Sequence, residues 1–238
     1  MSAVSPGLLA SVADLNEMDQ AARGGADIVD LKQPAYGALG AWSPAGLTAA
    51  VLLWNGWGER RPALSATAGD QPMVPAILVS AAQAVAASGV PLVKVGLFAS
   101  EHMGACIEAL APLALRCRLI GVLFADQDPD FGVLARLGAA GFAGAMLDTA
   151  DKQAGPLTGH LDLLTLSQFT AEARAQGLIT GLAGSLALDD IPALTGARPD
   201  YLGFRGALCA GGRTGRLDPA RLAEARSRLT TAGGTLRD

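Results

Sequence analysis

The sequence predicts an α/β fold, a (β/α)8 barrel in a single domain, and three observations carry that expectation. Short apolar runs alternate with longer Ala-rich segments of helical period, the pattern of strands each followed by a helix. Eight such runs recur at regular spacing, which favours closure into a barrel over the doubly wound sheet that shares the alternation. The chain has 238 residues, close to the roughly 250 typical of this barrel, and no linker divides it.

Taken in order, strands are expected at residues 7–12, 28–32, 63–67, 92–95, 119–124, 144–147, 179–183 and 201–204. Each is a short apolar run, several rich in Val and Ile. The helices between and after them are expected at 18–24, 44–53, 75–88, 103–114, 131–140, 166–176, 189–196 and 219–232. Ser43-Pro44 and Asp218-Pro219 each set an N-cap residue before a proline in the first helical turn. Gly24, Gly89, Gly141 and Gly177 stand where helices end and the chain turns to the next strand. The tail after Ala232 is expected to fray.

Half the residues are hydrophobic and 17% are charged, enough apolar material for a large core. A net charge of −4 argues against a nucleic-acid partner, which would call for a basic face. Cys106, Cys117 and Cys209 are odd in number and lack CxxC spacing, so they read as reduced core residues rather than a disulfide set or a zinc site. Residues 1–12 lack the pattern of a secretory signal, and no apolar stretch is long enough for a membrane span. A cytoplasmic protein is expected.

Of 18 Lys plus Arg residues, only Lys32, Lys94 and Lys152 are lysines. Lys32 ends the second expected strand, Lys94 lies in the fourth and Lys152 follows the sixth. The C-terminal strand ends of such a barrel form its active-site mouth, so topology brings the three ammonium groups together. A chain that otherwise prefers arginine keeps lysine where an amine must lose its proton and attack a carbonyl. Crowding and burial lower the pKa of at least one amine in such a cavity. Asp30 and Asp148 stand beside two of the lysines, able to balance charge and relay protons. A packing-only reading pairs Asp30 with Lys32 or Lys94, and Asp148 with Lys152, as core ion pairs. The weak contribution of buried pairs to stability argues against it.

The seventh strand runs into Gly184-Ser185 and the eighth into Arg205-Gly206, followed by Gly211-Gly212-Arg213. Loops after strands seven and eight are the usual phosphate site of the fold, where glycine lets backbone amides approach oxygen. Ser185, Arg205 and Arg213 add side-chain donors. Ser65, Thr67 and Asp70, after the third strand, are candidates for holding substrate hydroxyls or a second phosphate. His102 and His160 have no metal-ligand spacing, and no nucleotide-binding motif occurs, so neither a metal nor another cofactor is expected. The expected partner is a small phosphorylated aldehyde, and the Ala-rich helix faces leave a homo-oligomer open.

Six segments together resemble the (5-formylfuran-3-yl)methyl phosphate synthase family. They are Gly25-Ala26-Asp27-Ile28-Val29-Asp30-Leu31-Lys32-Gln33-Pro34 with Gly37-Ala38-Leu39-Gly40, Ser65-Ala66-Thr67-Ala68-Gly69-Asp70, Val93-Lys94-Val95-Gly96-Leu97, Leu147-Asp148-Thr149-Ala150 with Lys152, Gly181-Leu182-Ala183-Gly184-Ser185-Leu186, and Gly203-Phe204-Arg205-Gly206-Ala207. Each is weak alone; in order and along nearly the whole chain they are specific. The resemblance implies a TIM barrel and a lyase of methanofuran biosynthesis, or of an analogue. Such a lyase condenses two molecules of glyceraldehyde 3-phosphate into 4-(hydroxymethyl)-2-furancarboxaldehyde phosphate, releasing phosphate and water. It further implies Lys32 as the Schiff-base lysine and Lys94 as the proton acceptor, with Asp30, Asp148 and Lys152 as the other charged groups. A class I aldolase or isomerase of another phosphosugar would share these features. A non-catalytic barrel that binds a phosphometabolite would share the phosphate loops but form no imine.

Overall fold

The computed structural model describes residues 5–234. Eight parallel strands close into a barrel in sequence order: β1 (Gly7–Val12), β2 (Ile28–Leu31), β3 (Ala63–Thr67), β4 (Leu92–Leu97), β5 (Arg118–Phe124), β6 (Gly144–Asp148), β7 (Ile179–Leu182) and β8 (Tyr201–Phe204). Around it lie α1 (Leu15–Arg23), α2 (Pro44–Gly56), α3 (Pro75–Ala87), α4 (Met103–Ala114), α5 (Val133–Ala139), α6 (Leu157–His160), α7 (Leu163–Ala175), α8 (Ile191–Gly196) and α9 (Pro219–Gly234). A two-stranded antiparallel ribbon, β9 (Cys209–Ala210) with β10 (Arg216–Leu217), follows β8.

All eight expected strands form, β1, β3 and β8 with the expected bounds and the others with shifted ends. β2 stops at Leu31, so Lys32 opens the following loop, although its amide still bonds the Val12 carbonyl. β4 continues to Leu97 and β6 to Asp148. α1 begins three residues before the expected start because Asp14 caps it, accepting the Glu17 amide. Asp162 likewise starts α7 at Leu163. Gly24 ends α1 with φ −80, and it is Gly25, at φ 81, that takes the left-handed turn. α6 and the β9–β10 ribbon were not expected. The tail expected to fray lies mostly at 235–238, outside the described residues, and α9 runs on to Gly234.

Side chains alternate along each strand between two apolar layers. Val29 and Leu31, or Val93 and Val95, face outward to the helices, in one continuous core. Leu9, Ile28, Val122, Phe124 and Met146 face inward, joined by Ala38 and Leu39 from the loop after β2, which plugs the barrel. Asp30 and Lys94 hold the positions between the outward pairs and therefore point inside. Strand register sets Ser11 beside Asp30 and Asp30 beside Ser65 in one row across β1, β2 and β3.

Candidate active site

A cavity of about 480 Å3 opens at the C-terminal strand ends, and Lys32, Lys94, Asp148 and Lys152 line it. The three lysines expected to converge do so. Lys94 Nζ lies 2.9 Å from Asp30 Oδ2, and that carboxylate also accepts Ser11 Oγ at 2.9 Å and Ser65 Oγ at 2.7 Å. Asp148 serves two amines, with Lys32 Nζ at 3.4 Å from Oδ2 and Lys152 Nζ at 2.5 Å from Oδ1. Its Oδ1 also accepts the Thr149 amide at 2.8 Å. Lys152 additionally donates to the Thr149 carbonyl and to Thr149 Oγ1.

Three amines thus face two carboxylates, and Lys32 shares its partner and makes the longest of the contacts. It is the amine held least tightly. Burial alone would raise the Asp148 carboxyl, but the ammonium groups of Lys32 and Lys152 hold it far below the ordinary carboxylate range. Asp30, fully buried, is also lowered, because Lys94, Lys32 and the Ser65 hydroxyl outweigh its desolvation. Lys152 is shifted down by burial, with Lys32 adding to the effect and Asp148 opposing it. The site therefore combines ionised acids with a lysine biased toward its neutral form, a set suited to proton transfer and amine addition to a carbonyl.

Facing the lysines, the segments after β7 and β8 bring Gly184, Ser185 and Gly206 to the wall, and Arg213 reaches it from the β9–β10 turn. Gly184 has φ 109, and a Cβ there would meet the Thr149 amide and Asp148 backbone at 3.0–3.2 Å. Its lack of a side chain lets the β7 segment lie directly against β6. Ser185 is itself left-handed at φ 49. Arg213 crosses to the loop after Lys32, donating to the Pro34 carbonyl at 2.9 Å and to that of Gly37. Gly212, in the turn at φ 84, is outside the cavity lining.

The candidates in and after β3 have other partners. Ser65 bonds Asp30; Thr67 donates to the Gly40 carbonyl at 3.0 Å; Asp70 accepts the Ala38 and Leu39 amides at 2.7 and 2.8 Å. Together they brace the acid and the plug loop, and none of the three borders the cavity. Arg205 borders it, yet its guanidinium turns inward to Glu17 and to the carbonyls of Ser11, Arg213 and Gly215. Sequence reasoning passed over two polar groups. Ser11 could have been found from the alternation with inward Leu9, whereas Glu17, three residues after Asp14, reads as an ordinary first-turn acid.

Comparison with known proteins places the chain in a family. A family model described as 4-HFC-P synthase matches residues 8–226. A Methylorubrum extorquens protein that bears the name (5-formylfuran-3-yl)methyl phosphate synthase provisionally is 44% identical over 94% of this chain and 92% of its own. The (5-formylfuran-3-yl)methyl phosphate synthase of Methanocaldococcus jannaschii is 33% identical over 89% of this chain and 94% of its own. Among solved structures, 3-hexulose-6-phosphate synthase superposes with a TM-score of 0.65 at 20% identity, covering 92% of this chain and 98% of that one. That likeness speaks for the barrel alone.

Proposed function

This chain belongs to the 4-HFC-P synthase family, and from that premise we propose that it condenses two molecules of glyceraldehyde 3-phosphate through an imine on Lys32. The products are 4-(hydroxymethyl)-2-furancarboxaldehyde phosphate, inorganic phosphate and water, made for methanofuran or an analogue of it. One observation carries the reading: three lysine amines and two buried carboxylates meet in one cavity.

Lys32 Nζ adds to the aldehyde carbon of one substrate, and water leaves as the iminium forms. The iminium draws electrons from the adjacent carbon, whose proton passes to Lys94 or to a carboxylate. Lys94 is placed to exchange it because Asp30, locked by Ser11 and Ser65, fixes the amine inside the barrel. The enamine attacks the second aldehyde. A substrate hydroxyl closes the ring onto the imine carbon and expels Lys32 Nζ, and loss of phosphate, with two waters released overall, yields the aromatic furan. Asp148 holds Lys32 and Lys152 together, so Lys152 is the amine positioned to shuttle protons to the oxygens that depart as water. Gly184, Ser185, Gly206 and Arg213 form the wall that receives phosphate.

The test supplies glyceraldehyde 3-phosphate alone and follows inorganic phosphate together with the ultraviolet absorbance of a conjugated furan aldehyde. Both are expected to rise in step. A borohydride-trapped adduct with neither product would instead indicate an aldolase of another substrate, and no trapped adduct would remove the imine from the mechanism.

A further inference from the structure

Arg205 was expected to bind phosphate, but every donor direction of its guanidinium is occupied from within the protein. Nε donates to the Arg213 carbonyl at 3.0 Å, Nη1 to the Ser11 carbonyl at 3.2 Å and to Glu17 Oε2, and Nη2 to the Gly215 carbonyl at 2.8 Å and to Glu17 Oε1 at 3.2 Å. Glu17 is equally committed. Its two oxygens also take the Ala13 amide at 2.7 Å and the Leu217 amide at 3.0 Å. Both residues are buried, at 4% exposure for Glu17 and 7% for Arg205, and Glu17 does not border the cavity.

The partners of the pair are not scattered. Arg213 and Gly215 sit in the turn between β9 and β10, and Leu217 closes it, so the guanidinium and carboxylate grip this one turn from inside and fasten it to β1 and α1. Arg213, whose side chain lines the cavity, has its backbone carbonyl fixed by Arg205. We infer that Glu17 and Arg205 are positioning residues: as a buried ion pair they hold the turn that presents Arg213 to a substrate phosphate, and neither touches the phosphate itself. This rests on the reading above that the wall receives phosphate. A lysine in place of Arg205 could keep the charge but could not bridge three carbonyls in one plane.

The full chain and three variants, Arg205→Lys, Glu17→Gln and the charge-free pair Glu17→Gln with Arg205→Met, are compared for inorganic phosphate affinity by calorimetry. Thermal unfolding and borohydride trapping with unphosphorylated glyceraldehyde are measured alongside. The double variant leaves no buried charge unpaired, so it keeps the test open should Glu17→Gln fail to fold. Each variant is expected to weaken phosphate binding on the order of tenfold, with trapping by Lys32 retained. The double variant should lose no more than either single, as members of one interacting unit do. If Arg205→Lys weakens phosphate while Glu17→Gln leaves it unchanged or tighter, Arg205 is a direct ligand and the inference fails. If unfolding temperatures fall with phosphate affinity untouched, the pair is structural only, and the inference fails while the phosphate reading stands. Absence of phosphate binding by the native chain would overturn that reading and this inference with it.

Discussion

Lys32 differs from its neighbours in how loosely it is held, sharing Asp148 at 3.4 Å where Lys94 has Asp30 at 2.9 Å. Replacing Lys32 with Arg keeps a cation for Asp148 but removes the only nitrogen at that place able to form an imine. Lys32→Arg is therefore expected to lose turnover by at least about 10^3-fold together with the borohydride adduct, while unfolding near the native temperature. An adduct of native yield in that variant would move the imine to Lys94 or Lys152. Lys152 offers a second check, on the electrostatics. Its ammonium form is disfavoured by burial and by Lys32 and favoured by Asp148. Asp148→Asn removes the favourable charge, so Lys152 should lose its proton at lower pH than in the native protein. Nitrogen-detected lysine NMR reads this directly, and an unchanged or raised titration in the variant would contradict the assigned balance.

At the level of the elements, the segment after β7 lies against Asp148 and Thr149 only because residue 184 has no side chain. Gly184→Val would set a β-branched residue at φ 109, with its Cβ against the Asp148 and Thr149 backbone. Strain and contact together should cost about 2–4 kcal/mol, read as a lower urea midpoint, and turnover should fall further as Asp148 shifts. A midpoint equal to the native one would mean that the segment relaxes freely. The glycine was legible in the sequence as a loop after the seventh strand, though for its backbone amide; its closeness to the end of β6 depends on the pairing of neighbouring strands. The eight strands were legible because parallel strands covered on both faces are continuous apolar runs, and Asp30 and Lys94 stand out within them as interruptions. α6 and the β9–β10 ribbon were not, since elements of four and two residues are too short to show a period. Thr67 and Asp70 were read as substrate contacts from their place at the mouth. Only the fold of the 37–40 loop reveals the carbonyl and amides they serve.

Across the whole molecule, buried carboxylates tie together the elements that form the mouth. Asp30 ties β1, β2, β3 and β4 through Ser11, Ser65 and Lys94; Asp148 joins β6 to the loop after β2; Glu17 anchors the turn after β8. Each carboxyl is held below its ordinary value in the folded chain, for although burial raises it, the cations and donors around it outweigh that effect. The unfolded chain, with ordinary carboxyls, takes up protons first as pH falls, so the stability these groups lend is complete above about pH 5 and declines below about pH 4. The urea midpoint should accordingly be level from neutrality to about pH 5 and fall steeply between about pH 4 and 3. Hydrogen exchange in that range should quicken first at the Leu217 and Thr149 amides, which bond Glu17 and Asp148. Replacing Glu17 and Arg205 together by Gln and Met removes one of the three acids and should make the decline shallower. A native midpoint as high at pH 3 as at pH 7 would show that the mouth is held by packing, with the acids serving chemistry alone.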